Sequence, residues 1–148
     1  MTAALTLRDA GDADAPAIAA IYGYWVEHGT GTFEESVPSA EDMRARMAAI
    51  FKSGMPWLVA CDASGAVKGY AYASPFRPRT GYRWSVEDSV YVEPNLHGRG
   101  VGRILLQAVI ARVEAAGIRQ VLAVIGDSDN QGSISLHRAC GFQDAGVF

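Results

Sequence analysis

The sequence contains little that would indicate a secreted, membrane-bound or nucleic-acid-binding protein. Only 2 of its 148 residues are cysteine, and neither lies in a Cys/His cluster with metal-ligand spacing. No apolar run approaches the roughly 20 residues that cross a bilayer. The net charge of −3 provides no overall basic surface for nucleic acid. Since the first residues also lack the basic and apolar regions of a signal peptide, we expect a cytoplasmic protein without a bound metal.

The segment from Ser85 to Arg103 carries the most specific pattern in the chain. Its first part alternates β-branched, aromatic and polar residues up to Pro94, which predicts a strand. Gly98, Gly100 and Gly102 follow and lead into apolar residues at helical spacing. The unpaired N–H groups in the first turn of a helix bind anions without help from side chains. The sequence therefore predicts an anion site, and phosphate is the expected ligand.

Two common glycine loops do not match this segment. A P-loop ends in Gly-Lys-Ser/Thr, whereas Gly102 is followed by Arg103 and Ile104. The dinucleotide fingerprint G-x-G-x-x-G requires glycine at the position of Arg103. The segment is therefore either the anion site of another class of phosphate-binding protein or an ordinary glycine-rich turn, and the rest of the chain has to decide between them.

Hydrophobic spacing predicts the element order β-α-α-β-β-β-α-β-α-β in one α/β domain. A continuous apolar run from 119 to 125 predicts a buried central strand, and a last strand is expected to begin at Phe142. Tyr22 and Trp25 lie on the apolar stripe of the first helix, where they either fill the core or line a cleft. The other predicted strands cover 6–8, 57–61, 67–73 and the segment before Pro94, and the helices begin near 15, 39, 102 and 133.

Two motifs resemble the GNAT superfamily of N-acetyltransferases. The glycine loop from Gly98 to Gly102 is similar to its pyrophosphate loop, Arg/Gln-x-x-Gly-x-Gly/Ala, with His97 at the first position. The segment from Asn130 to Phe142 is similar to its second signature, Asn-x-x-Ala-x-x-Leu-Tyr-x-x-x-Gly-Phe, with His137 in place of tyrosine. Both occur in the expected order, which makes the pair far more specific than either motif alone.

Within this superfamily the chain most resembles the phosphinothricin and methionine sulfone (or sulfoximine) N-acetyltransferases. The resemblance lies in Arg77-Pro78-Arg79, Tyr82-Arg83 and the strand before Pro94. It implies a GNAT fold, in which a central mixed, mostly antiparallel sheet with splayed central strands is flanked by helices. It also implies a homodimer and a single domain over 1–148 that lacks the last C-terminal strand of the family, since members of that family continue past the position of Phe148.

The resemblance implies acetyl-CoA as cosubstrate. Its pyrophosphate would lie on the glycine loop and its pantetheine arm along the edge of the central strand, with the oxyanion held by an N–H near Val92. The residues expected to bind it are Val90, Tyr91, Val92, Gly98, Arg99, Gly100, Val101, Gly102, Arg103, Asn130 and Ser133.

A small amino-acid-like amine is the acceptor that the resemblance implies. Prolines restrict the arginine-rich segment before the central strand, and a guanidinium fits carboxylate, phosphinate or sulfone oxygens. The residues expected to contact the acceptor are Phe33, Arg77, Pro78, Arg79, Arg83, Glu87, Asp88 and Ser89.

Two residues are candidates for catalysis. An amine with a pKa near or above 8 is largely ammonium at neutral pH, so a general base must remove a proton, and Glu87 is the candidate. His137 either returns a proton to the departing thiolate or packs beneath the pantetheine, and we favour packing. Two alternatives remain: acetylation of a protein N-terminus, and a non-catalytic domain that binds acyl-CoA.

Overall fold

The computed structural model describes residues 4–28, 36–76, 84–96, 98–124 and 131–146. Five strands and four α-helices form in this part of the chain, and two short 3₁₀ turns lie at Asp12–Asp14 and Pro94–Leu96. In chain order these elements are β1 (Thr6–Asp9), α1 (Ala15–His28), α2 (Ala40–Lys52), β2 (Trp57–Cys61), β3 (Val67–Pro75), β4 (Ser85–Val92), α3 (Val101–Ala115), β5 (Gln120–Leu122) and α4 (Gln131–Ala139).

The strands form one sheet in the order β1-β2-β3-β4-β5. The first three pairings are antiparallel, and the pairing of β4 with β5 is parallel. A mixed, mostly antiparallel sheet flanked by helices is thus confirmed.

The core has two parts, one on each face of the sheet. On one face α1 and α2 pack on aromatic residues of the sheet, with Ile18, Met43 and Trp57 fully or almost fully buried. On the other face α3 packs through Leu105 and Val109. Because side chains alternate along a strand, β4 sends Tyr91 to the first face and Val86, Val90 and Val92 to the second.

Local signals place several helix ends where the sequence predicts them. Ser39 accepts a hydrogen bond from the N–H of Asp42 at 3.0 Å, and the Asp42 carboxylate accepts one from the N–H of Ser39 at 2.9 Å. This reciprocal pair is the capping box expected before α2. Gly117 follows α3 with φ of 90°, a left-handed conformation that suits glycine at a helix end.

Two predictions about the later strands are wrong. The run expected to be a buried central strand gives only β5, which lies at the end of the strand order with Val121 and Leu122 partly exposed. A strand at the edge has a neighbour on one side only, so its apolar side chains keep contact with solvent. Residues 142–146 form no strand, because no described strand pairs with them.

Candidate active site

The edge of β4 that faces β5 is open over most of its length. The N–H of Glu93 donates to the carbonyl of Lys68 at 2.9 Å, and the N–H of Phe76 donates to the carbonyl of Ser85 at 3.2 Å. In an antiparallel ladder, hydrogen-bonded pairs alternate with pairs that point outward. The odd-numbered residues of β4 therefore bond to β3, and the even-numbered ones direct their N–H and C=O groups towards β5.

The ladder between β4 and β5 ends at the pair of Glu87 and Leu122. Beyond this pair, within the described ranges, no strand lies on the outward side of Asp88, Val90 and Val92, whose other side borders β3. This separation of β4 from β5 is the splay that the family resemblance implies, although β5 lies at the end of the described strand order. An amide-containing arm could add to such an edge as another strand does.

Tyr91 differs from its neighbours in this respect. Its main chain is directed to β3, where it lies opposite Tyr70, and its ring contacts the ring of Tyr22 edge-on at 4.9 Å. The predicted contact of Tyr91 with the pantetheine arm needs correction, because this main chain is already part of the sheet.

Trp25, which sequence reasoning left between core and cleft, lies at this open edge. Its indole N–H donates to the carbonyl of Val92 at 2.8 Å, so α1 occupies the last outward-facing carbonyl of β4. Tyr22 is buried in the core. The position of Trp25 on an apolar stripe gave no signal for this contact.

The glycine loop shapes the start of α3. Gly98 and Gly100 have φ of 81° and 85°, a left-handed conformation that side chains disfavour. Gly100 is the N-cap, no side chain caps the helix there, and its first turn carries no acidic residue. The exposed Arg99 and Arg103 add positive charge. These features fit a phosphate on the first turn of the helix.

Not every amide in the loop can serve this purpose. The N–H of Arg99 donates to the carbonyl of Leu96 at 3.2 Å. Its amide is therefore already hydrogen-bonded, and only its guanidinium could bind an anion. Val101 is buried against the sheet, and its amide lies in the first turn.

Gly102 is required for packing. A Cβ atom at this position would lie 3.3 Å from Cδ2 of Leu136, 3.6 Å from Cγ1 of Val90 and 3.7 Å from Cγ2 of Val92. The lack of a side chain therefore lets α3 and α4 approach the open part of β4. This role differs from that of Gly98 and Gly100, where an added Cβ would meet nothing within 4 Å.

Glu87 lies on the face of the sheet that α1 and α2 cover, together with Ser89 and Tyr91. Burial raises the pKa of this half-buried carboxyl, and the negative charge of Asp88 raises it further. Ser89 lies opposite Tyr72 in the ladder and hydrogen-bonds with it. A carboxylate with a raised pKa in a partly buried position is suited to act as a general base.

An aromatic wall accompanies Glu87 on this face. It consists of Tyr22, Trp57, Tyr70, Tyr72 and Tyr91. Trp57 stacks on Tyr72 with ring centroids 4.0 Å apart, and the guanidinium of Arg46 lies 5.8 Å from the centroid of Tyr22. Sequence reasoning missed this wall, although Tyr70 and Tyr72 share one face of β3 and could have indicated it.

Asp88 and His137 meet on the opposite face. Nε2 of His137 lies 2.7 Å from Oδ1 and 3.1 Å from Oδ2 of Asp88, and Nδ1 lies 2.7 Å from the carbonyl oxygen of Ser133. Both side chains are buried, each residue keeping 7% of its surface exposed. The expectation that Asp88 contacts the acceptor needs correction, since its carboxylate points away from Glu87 and is held by His137.

Several predicted site residues lie outside the described residues. They are Phe33, Arg77, Pro78, Arg79, Arg83 and Asn130, together with His97 of the loop motif. Among the residues that the structure does describe, no group of three or more His, Cys, Asp or Glu could hold a metal ion. No described helix has the length and apolar character needed to cross a membrane.

Comparison with known proteins agrees with this geometry. The phosphinothricin N-acetyltransferase of Alcaligenes faecalis is 51% identical over 144 residues, which cover 97% of this chain and 73% of that protein. The L-methionine sulfoximine/L-methionine sulfone acetyltransferase of Pseudomonas paraeruginosa is 43% identical over 141 residues, covering 95% of this chain and 81% of that one.

Among solved structures, a GNAT superfamily phosphinothricin acetyltransferase from Sinorhizobium meliloti, in complex with AcCoA, superposes with a TM-score of 0.93. It is 49% identical, and the match covers 99% of this chain and 77% of that one. The model of the acetyltransferase (GNAT) family matches residues 19–142. With the open edge of β4 and the glycine loop in place, these matches show that the chain belongs to the GNAT family of acetyltransferases.

Proposed function

We propose that this enzyme acetylates the α-amine of a small anionic amino acid, with acetyl-CoA as the donor. The observation that carries the proposal is the half-buried Glu87, whose pKa is raised, on the aromatic face of β4 at the point where β4 and β5 separate. Phosphinothricin, methionine sulfone and methionine sulfoximine are the first acceptors to test, because the similar enzymes are named for them.

The residues present fit acetyl-CoA. The first turn of α3, with the guanidinium groups of Arg99 and Arg103, would hold the pyrophosphate, and the outward carbonyl of Val90 would pair with the arm. When bound, acetyl-CoA supplies an activated acetyl group as a thioester. Asn130 keeps its predicted contact with the arm as part of this proposal.

Glu87 takes the proton from the acceptor's ammonium group, directly or through one water molecule. The free amine then attacks the thioester carbonyl, so that the new C–N bond replaces the C–S bond, and CoA leaves as a thiolate that takes up the proton released by the nitrogen. An acceptor of this kind also carries an anionic group, for which Arg77, Arg79 and Arg83 remain the proposed partners, with Pro78 fixing their loop and Phe33 and Ser89 beside the acceptor.

The oxyanion is assigned to the N–H of Val90. A strand rises about 3.3 Å per residue, so Val92 lies about 16 Å along the strand from Glu87, whereas Val90 lies about 10 Å away. Val90 also directs its N–H to the open edge. The sequence-based assignment near Val92 is replaced for this reason.

The test measures release of free CoA with a panel of amino acids that includes the three acceptors and their unmodified parents. Turnover with these amines supports the proposal, and binding of acetyl-CoA without turnover on any of them contradicts it. Peptides that outcompete amino acids would instead indicate acetylation of a protein N-terminus.

The proposal also includes one domain over 1–148, action in the cytoplasm and assembly as a homodimer. Light scattering coupled to size-exclusion chromatography, with and without acetyl-CoA, measures the oligomeric state. A monomer at the concentrations that support full activity would contradict the dimer.

A further inference from the structure

A buried pair of ionisable side chains, Asp88 and His137, joins α4 to the open part of β4. The carboxylate of Asp88 accepts a hydrogen bond from Nε2 of His137 at 2.7 Å. His137 is the seventh residue of α4. Phe142 packs edge-on against the imidazole at 4.9 Å. The pair is therefore shielded from water and has a fixed geometry.

The two short contacts of His137 determine its protonation, since the hydroxyl of Ser133 lies farther from Nδ1, at 3.5 Å. Nδ1 faces the carbonyl oxygen of Ser133 at 2.7 Å, and a carbonyl can only accept. Nε2 faces the carboxylate of Asp88, which also accepts when ionised. A neutral imidazole carries one N–H and would leave a nitrogen lone pair against an oxygen lone pair. Two short contacts to acceptors thus require an N–H on each nitrogen.

The pair lies close to the segments proposed to hold acetyl-CoA. These segments, the first turn of α3 and the outward edge of β4 from Asp88 to Val92, are called the acetyl-CoA seat below. Leu136, the residue before His137, is the nearest neighbour of the Cβ position of Gly102 in the first turn of α3. Gly102 in turn faces Val90 and Val92 on the open edge. The first turn of α3, the helix α4 and the outward edge of β4 therefore meet beside Asp88 and His137.

We propose that Asp88 is a positioning residue that holds His137 as an imidazolium, and that this pair fixes α4 and the first turn of α3 against β4 so that the acetyl-CoA seat keeps its shape. The inference rests on the proposed function only for the identity of the ligand. It removes His137 as a proton donor to the thiolate, because both of its N–H groups are already engaged within the protein.

Electrostatics agree with the geometry. Burial lowers the pKa of His137, but the hydrogen bond and charge of Asp88, together with the Ser133 carbonyl, outweigh burial and leave this pKa raised. The other charged or titratable groups near the pair in the described chain are Glu87, Arg103 and Cys140. Because the folded-state pKa is raised, the pair stabilises the fold fully below the unfolded value near 6.5, and this contribution is lost as pH rises through the folded value.

The experiment combines NMR of the histidine ring with binding of acetyl-CoA. In the unaltered enzyme, the ¹⁵N shifts of His137 should be those of an imidazolium at neutral pH. Asp88→Asn keeps the shape and removes the charge, so the ring should become neutral at the same pH. Calorimetry should show acetyl-CoA binding weakened about tenfold, equivalent to about 1.4 kcal/mol. The acceptor KM should change by less than about twofold.

Asp144→Asn is the matched control. The carboxylate of Asp144 accepts a hydrogen bond at 2.7 Å from Arg138, which belongs to α4 as His137 does, but the Arg138–Asp144 pair is exposed. The control should leave both the ring shifts and acetyl-CoA binding unchanged. Since the ring shifts and acetyl-CoA binding need no acceptor, failure of the proposed function would leave these two readouts intact.

Three results would overturn the inference. The first is a neutral His137 in the unaltered enzyme at neutral pH, a measurement that needs no variant. The second is an Asp88→Asn enzyme whose acceptor KM rises while acetyl-CoA binding stays the same, which would return Asp88 to the acceptor site. The third is a loss confined to kcat with a shifted alkaline limb, which would make His137 a proton donor.

Discussion

Glu87 and Asp88 are adjacent carboxylates on β4 that lie on opposite faces of the sheet in different surroundings. Glu87 is half-buried beside an aromatic wall, where burial and the charge of Asp88 raise its pKa. Asp88 is buried on the other face, and its carboxylate is hydrogen-bonded to His137 of α4. The comparison teaches that environment, and not residue type, separates a reactive carboxylate from a structural one.

The two faces divide the proposed chemistry in the same way. The face with Glu87 receives the acceptor, and the face with Asp88 carries the helices that hold the acetyl-CoA seat. The main chain of β4 is accessible from both faces, because its outward N–H and C=O groups lie at the edge of the sheet between them. Variants on either face should therefore have separable effects.

The largest expected effect comes from Glu87→Gln. Removing the base should lower the acetylation rate at neutral pH by about 100-fold or more, because general-base catalysis contributes about 10²–10⁴-fold. Acetyl-CoA binding, measured by calorimetry, should remain the same. Glu93→Gln is the control, since Glu93 follows β4, about 20 Å along the chain from Glu87, and its carboxylate pairs with Nζ of Lys68 at 3.2 Å. A Glu87→Gln enzyme with the full rate would remove Glu87 from the mechanism.

The pH dependence of the rate should report the same group. Glu87 must be ionised to act as a base, so activity should fall, by about tenfold per pH unit, as pH decreases below its raised pKa. The acid limb of kcat/KM should therefore lie above pH 4.3, the usual value for glutamate. An acid limb that persists unchanged in Glu87→Gln would assign it to a different residue.

A smaller effect is expected on the other face from Gly102→Val. The added side chain would overlap Leu136 and the edge of β4, and overpacking of this kind costs about 1–3 kcal/mol. The free energy of unfolding and the affinity for acetyl-CoA should both fall, while the acid limb stays in place. Gly102→Ala adds only the Cβ and should have a weaker effect. Equal stability of all three proteins would contradict the close approach.

Trp25→Phe should have the smallest effect. It removes the indole N–H that the Val92 carbonyl accepts, a bond with a net value of about 0.5–1.5 kcal/mol. We expect the KM for acetyl-CoA to change by about two- to tenfold, because this carbonyl lies on the open edge. Trp84→Phe, at an exposed position, serves as the control. Identical kinetics in the two variants would show that the edge works without this bond.

Local patterns sufficed for the elements whose signals are short-range. Ser39 and Asp42 predict the start of α2, because helix capping depends only on nearby residues. Gly98 and Gly100 predict a turn that could bind an anion, because a left-handed backbone conformation is also a local property. The motif from Asn130 to Phe142 similarly located α4 and its buried histidine.

Long-range features required the tertiary structure. Alternation along β4 separates Glu87 from Asp88 in any strand, but it does not say which face carries the helices of the acetyl-CoA seat. The apolar run after Gly117 predicted a central strand, yet its place in the sheet depends on which strands pair with it.

The sequence by itself determined the order of the elements up to α4, the glycine turn and the family resemblance, since each depends on spacing along the chain. Tertiary structure decided that Asp88 serves His137, that Trp25 reaches Val92 and that Gly102 makes room for Leu136. These contacts join residues that are 34 to 67 positions apart, and no local pattern specifies such pairs because they exist only after the helices have packed on the sheet.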